Sequence, residues 1–488
     1  LKLLLQTLTI IGIVAVAMSA TIYSTTSCRN GIRFIDDISD KQETSDEVLI
    51  SSDSMSLRYS NEYRSWKNTI DTTFRSLYNG NQRTDVLAAR PRMVVLWAGY
   101  AFAKDYETPR GHMYAIEDVR GSLRTGSPMH KTDYSQPAAC WACKSSDIPR
   151  LTARAEGKTL YKKKWVELGS EAVNPIGCAD CHEPESMTLR VTRSFLVDAY
   201  SCCGRRMEDA TEQEMRSLVC AQCHSEYYLR GEDRMPALPW NRGYALEDME
   251  AYYDSLHFTD FIHKLSSAPL LKAQHPDFEL AQMGIHAQRG VSCGECHMPA
   301  VGEGEKRYNN HHIKSPLAMI DRTCQTCHRE SEETLRNDVY ERQGKVLNMR
   351  NRLEEELTKA HIEARFAWDK GATDKQMEPV LQLIRQSQWR WDFSVTSWGA
   401  SFHAPQEVLR LLGDGFDKAS QARMSLMKLL SRLGYVGEVP MPDLSTKGKA
   451  QLYIGLDMEK ERIDKQKFLE TVVPQWLEEA KANKRIIE

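Results

Sequence analysis

The sequence predicts a mainly α-helical fold with little β-structure, a compact body in mid-chain and long helices at the C-terminal end. Three observations predict it. Five C-x-x-C pairs, which use ten of the thirteen cysteines, crowd between residues 140 and 330. The segments between them are short and turn-rich, so something other than regular structure must fill that core. Beyond His328, apolar residues recur at helical spacing opposite charged faces.

The pairs say what fills the core. Four carry histidine directly after the second cysteine: Cys178-Ala-Asp-Cys181-His182, Cys220-Ala-Gln-Cys223-His224, Cys293-Gly-Glu-Cys296-His297 and Cys324-Gln-Thr-Cys327-His328. This is the attachment signature of c-type haem, in which both sulfurs bind the porphyrin covalently and the histidine sits beneath the iron. The first pair reads Cys140-Trp-Ala-Cys143-Lys144, with lysine in the histidine's place. Alone it would be a chance pair or a redox dithiol, but four companion motifs outweigh that reading. Zinc sites space their later ligands differently. An amine binds iron only when deprotonated, so Lys144 needs its pKa lowered by the metal. The expected architecture is a multihaem cytochrome c with a five-haem body, and the lysine-ligated haem is where chemistry is expected.

Taken in order, residues 1–27 are an apolar stretch that reads as an export signal or an uncleaved membrane anchor. Residues 28–62 are polar and rich in Ser and Asp, a linker. Residues 63–330 form the haem-binding catalytic region, opening with aromatics and a buried-looking run from Pro91 to Ala103. Cys28, Cys202 and Cys203 fall outside the motifs. The Ser27 side of Cys28 makes a poor lipidation site, and the adjacent Cys202 and Cys203 read as small structural thiols. Residues 331–488 form the long-helix region: apolar periodicity places helices over Glu332 to Lys370, Asp374 to Trp398, Gln406 to Leu433 and Met458 to Lys484. Gly371, Pro405 and the stretch from Gly434 to Pro442 separate them. A net charge of −3 and a pI near 6.6 give no argument for nucleic-acid binding.

Four histidine-ligated irons need four further axial ligands if each is six-coordinate. Ten histidines remain after the four motif histidines are subtracted from fourteen, and spacing alone does not choose among them. The lysine-ligated haem would keep its far face open for substrate.

At this point the chain resembles the pentahaem cytochrome c nitrite reductases, the ammonia-forming enzymes of nitrite respiration. The resemblance runs from about Tyr63 to the C-terminus and rests on CWACK, CADCH, CAQCHSEYY, LLKAQHP, a GIH before a C-x-x-C-H, and SFHAP. It implies Lys144 as proximal ligand of the active-site haem. It also implies His112, His286, His311 and His403 as distal ligands of the others, and leaves His361 as helix surface or packing. Above the open iron it implies Arg193, Tyr227 and His275. Arginine offers permanent charge and forked donors, histidine a transferable proton and tyrosine a hydroxyl. Glu226, Tyr227, Lys272 and Gln274 resemble the family's Ca2+ site, with side-chain oxygens from Glu226 and Gln274 and backbone carbonyls from Tyr227 and Lys272. The SCCGRR run from Ser201 to Arg206 has no counterpart in that pattern.

The implied function is six-electron reduction of nitrite to ammonium, with nitrite bound through nitrogen to the Lys144-ligated iron and four bis-histidine haems relaying electrons. The rivals are a reductase directed at hydroxylamine or sulfite, and a multihaem electron carrier with every iron saturated. The resemblance further implies a periplasmic homodimer that dimerises through the C-terminal helices. Its electrons would come from a membrane-bound tetrahaem quinol dehydrogenase or a soluble multihaem cytochrome.

Overall fold

The computed structural model describes residues 52–78, 80–154 and 160–486. The apolar N-terminal segment and the first part of the polar linker, including Cys28, lie outside the described residues. No helix among the described residues is long and apolar enough to cross a membrane.

The four predicted long helices form, as Glu332–Asp369, Asp374–Thr396, Pro405–Arg432 and Met458–Ala482. Their starts follow from local chemistry. Ser331 accepts from the Thr334 amide, with Glu332 and Glu333 beside the positive helix end. The Gln376 side chain accepts from the Thr373 amide, Pro405 occupies a first-turn position where no amide bond is lost, and Asp457 accepts from the Lys460 amide. The first three helices pack together. Gly415 lies where they converge: a Cβ there would come within 2.9 Å of Leu353 and 3.2 Å of Arg390, one on each neighbouring helix.

These helices share one core with the body. Met93 to Ala98 are wholly buried, and Trp97 donates to Asp392 (3.2 Å) while Trp391 donates to Glu354 (2.9 Å), so both indoles find acceptors in the interior. His361 belongs to this core, not to the helix surface. It stacks on His263 with ring centres 3.7 Å apart and bonds Ser266 and Gln388. Met458–Ala482 leaves the bundle and packs on the short helices Ala115–Gly121 and Leu123–Thr125. Strand structure among the described residues amounts to three two-stranded antiparallel ribbons: Tyr228–Arg230 with Met235–Ala237, Phe261–Ile262 with Pro269–Leu270, and Ala300–Val301 with Tyr308–Asn309. The motifs ride on single turns such as Cys178–Cys181 and Cys293–His297.

Candidate active site

An imidazole nitrogen lies about 2 Å from a bound metal, so two rings on opposite sides of one iron have centres roughly 6 Å apart. Three of the histidine pairs at this spacing pair a motif histidine with an expected distal ligand: His182 and His311 at 6.1 Å, His286 and His328 at 6.3 Å, His297 and His403 at 6.3 Å. Each joins a motif histidine to a ligand implied by resemblance, and the side chains present fit a haem iron between them. In three of these rings the outer nitrogen is held as a ligating histidine requires. His182 Nδ1 lies 2.8 Å from the Met187 carbonyl, His311 Nδ1 2.8 Å from that of Asn309, and His297 Nδ1 3.2 Å from that of Lys314. These contacts leave Nε2 for the metal. Gly399 makes room for His403, since a Cβ there would stand 2.2 Å from the imidazole.

His224 lies near His275 and His112, as well as His297 and His403. His275 lies with its ring centre 6.0 Å away, and His112 lies within electrostatic reach. Asp277 sits between His224 and His275, its Oδ2 being 3.7 Å and 3.9 Å from their Nδ1 atoms, too far for direct hydrogen bonds. The two imidazoles hold its carboxyl well below the ordinary range, against the desolvation that opposes ionisation. His275 Nδ1 is buried without a hydrogen-bond partner among the described residues. Burial lowers the proton affinity of His275, Asp277 raises it, and Lys144 nearby lowers it again. His275 therefore lies beside both the odd motif and the third one.

Lys144 sits on a braced loop. Asp147 accepts from the amides of Val173 and Asn174 (2.9 Å each), and Trp141 donates to the Trp165 carbonyl (2.8 Å), whose own indole donates to Thr125 (2.9 Å). The Cys140 sulfur is the common neighbour of Lys144, Arg124, Tyr100 and Tyr227. Desolvation pushes the Tyr227 hydroxyl well above the ordinary range, so it stays an O–H donor. A small cavity lined by Ala139, Cys143, Cys223 and Tyr227 adjoins it.

Arg193 corrects the expectation. It is 2 % exposed, and its guanidinium is already committed. Nε donates to the Ala142 carbonyl (2.8 Å), Nη1 to Thr192 Oγ1 (2.7 Å) and Nη2 to the Ser145 carbonyl (3.0 Å), while Nη2 also pairs with Asp180 at 2.7 Å. That fork has no donor pair left for an anion. Arg124, which sequence reading did not single out, lies near Cys140 with its donors less committed. It lies over Phe102 at 4.5 Å, bonds only Ser122 through Nε (3.0 Å), and has no carboxylate partner among the described residues. The only signal for it was a charged residue in a Gly- and Pro-flanked turn shortly before the first motif.

Glu226 and Gln274 meet through the Gln274 backbone amide. Glu226 is fully buried and its Oε2 accepts from the Gln274 amide at 2.6 Å, while the Gln274 side chain comes within 3.4 Å of the Lys272 carbonyl. The surroundings are over-supplied with acid. Desolvation, with Glu279 and Asp260 nearby, pushes Glu226 well above the ordinary carboxyl range; burial lifts Asp260 to about 7 and Glu279 to about 8. The Lys272 ammonium is committed to Asp392 at 2.9 Å. A hard divalent cation fits this donor set, since it would relieve the buried carboxylates.

Sulfur contacts join the five motifs. The Cys143 sulfur neighbours that of Cys223, and the Cys220 sulfur neighbours that of Cys293. Cys181 lies within electrostatic reach of Cys220 and Cys223, and Cys296 within reach of Cys324 and Cys327. The third motif is thus a junction of the first, second and fourth, and the fifth adjoins the fourth. Cys202 closes the helix Ser194–Cys202, and the Cys203 sulfur contacts the Trp240 carbonyl at 3.4 Å, in keeping with structural thiols.

The family model described as cytochrome c552 matches residues 51–484. The chain is similar to the cytochrome c-552 of Parabacteroides distasonis, 63 % identical over 434 residues covering 89 % of this chain and 88 % of that one. It is also similar to that of Bacteroides fragilis, at 61 % over 428 residues, covering 88 % and 87 %. Among solved structures it matches the cytochrome c nitrite reductase of Desulfovibrio desulfuricans, a catalytic subunit with two calcium sites. That match has a TM-score of 0.75 at 26 % identity and covers 86 % of this chain and 91 % of the other.

Proposed function

Because the chain belongs to the cytochrome c552 family, we propose that it reduces nitrite to ammonium at the haem held by Cys140, Cys143 and Lys144. The observation that carries the reading is the contrast between the motifs. Three histidine pairs stand ready to saturate an iron from both sides, and at one motif alone lysine replaces the histidine. Bound haem would supply an open iron position at Lys144 and redox equivalents from the other four motifs.

The chain's own residues do the rest. Arg124 holds the substrate anion with donors that no carboxylate occupies. His275 delivers protons as the N–O bonds break, and the ionised Asp277 beside it steadies its imidazolium form. Tyr227 remains an O–H donor at the Cys140 and Cys143 sulfurs. Ca2+ at Glu226, Tyr227, Lys272 and Gln274 would fix the segments bearing Tyr227 and His275 and add positive potential beside an anion site. The protein is exported, accepts electrons from a membrane-bound tetrahaem quinol dehydrogenase or a soluble multihaem cytochrome, and forms a homodimer. The exposed Met424 and Met427 on Pro405–Arg432 offer apolar surface for that contact.

The test uses purified protein with nitrite and a reductant, and ammonium is the product counted. Lys144→His should keep five haems, alter the spectrum of the odd haem and impair turnover. Unchanged nitrite kinetics in that variant would remove the lysine from the reaction.

A further inference from the structure

Arg193 lies where three attachment motifs meet, and we infer that it is a positioning residue that locks the Lys144 loop to the second and third motifs. The inference rests on the reading of Lys144 as the reactive site. The partners of Arg193 are specific residues inside C-x-x-C pairs. Its side chain donates to the carbonyl of Ala142, between Cys140 and Cys143, and to that of Ser145, directly after Lys144. It pairs with Asp180, between Cys178 and Cys181, whose other oxygen accepts from the Gly177 amide at 2.8 Å. Its backbone amide donates to Gln222 Oε1 at 3.2 Å, between Cys220 and Cys223. Gln222 in turn donates to the Asp180 carbonyl at 2.8 Å. The circuit closes: the first motif is tied to the second through the guanidinium, and the second to the third through the glutamine.

An ordinary buried ion pair would also use Asp180. It would not place the two remaining edges of the fork on carbonyls that bracket the lysine. A guanidinium reaches several acceptors in one plane, whereas an ammonium is a single point of charge on a flexible stem. The position is costly to leave half-made, since an unpaired buried carboxylate or cation is strongly destabilising. Arg193 therefore sets where the lysine loop stands relative to its two nearest neighbours, without touching substrate.

Two variants of the holoenzyme test this, Arg193→Lys and the isosteric Asp180→Asn, each checked by mass for five covalent haems. The expected result has three parts. The electron paramagnetic resonance signal of the lysine-ligated haem shifts while the bis-histidine signals stay. The nitrite kcat falls by about tenfold or more, and KM stays within about threefold. A KM raised about tenfold at constant kcat, with an unmoved signal, would mean that Arg193 binds nitrite directly and would overturn the inference. Unchanged signals and kinetics in both variants would reduce it to packing. Where Arg193→Lys fails to load haem, Asp180→Asn carries the same readouts. The spectral arm needs no substrate, so it stands apart from the fate of the nitrite reading, which Lys144→His decides.

Discussion

Two arginines near Cys140 are indistinguishable in sequence and opposite in situation. Arg193 has spent its donors on Ala142, Ser145, Thr192 and Asp180, whereas Arg124 rests on aromatic faces with only a serine bonded to it. Arg124→Gln should therefore raise the nitrite KM by about tenfold or more, since losing a charge-assisted contact to a small anion costs roughly 1.5–3 kcal/mol. Steady-state kinetics with the haem complement verified would check it, and a KM within error of the parent would exclude Arg124 from substrate binding. The iron ligands divide in the same way. The motif residues were legible because cysteine spacing is itself the chemistry. The distal histidines were named by resemblance and not by spacing, because ten candidates looked alike; His286, His311 and His403 each face a motif histidine at metal-spanning distance, and His275 faces His224 at a similar one. His361 shows the converse: a histidine on a helix bearing charged residues turned out to be fully buried among polar partners.

The long helices were legible element by element. Their caps and periodicity are local signals, and each boundary falls within two residues of the expected one. What the pattern did not give was that Met458–Ala482 would leave the bundle to brace the turn that carries Arg124. Lys465 on that helix is 4 % exposed and donates to the Arg120 carbonyl (3.1 Å), to Thr125 Oγ1 (3.3 Å) and to the Gly126 carbonyl. Burial pulls its pKa from the ordinary 10.5 down to about 7, with Asp105 and Glu461 opposing and Lys104 assisting. Between those values the unfolded chain holds a proton that the folded chain lacks, so this lysine makes stability rise with pH. The expected outcome is that the parent gains on Lys465→Met as pH rises from about 7 towards 10, by at most about 1.4 kcal/mol per pH unit, with a flat difference below that window. Thermal melts of both proteins across the range measure it. A gap that does not vary with pH would show that the amine keeps its proton throughout.

At the scale of the molecule, sulfur proximity links the five sites, while Cys324 of the fifth packs on a separate apolar cluster around Leu317 and Leu335. The motif of Cys220, Cys223 and His224 lies near three others through Cys143, Cys181 and Cys293. The motif of Cys324 and Cys327 has Cys296 of the fourth motif as its sulfur neighbour among the described residues, and Cys327 is exposed. Removing a buried group from a junction forfeits contacts on every side, whereas removing one at the rim forfeits them on one side. Replacing Cys324 and Cys327 by serine should therefore give a folded, protease-resistant protein with four covalent haems. The same change at Cys220 and Cys223 should lower haem loading at the first, second and fourth motifs as well. Mass spectrometry of the intact chain reads haem number directly, and limited proteolysis reports the fold. Equal, single-haem losses in both variants would mean that the motifs load and pack independently, and the junction drawn from the sulfur contacts would then have no energetic meaning.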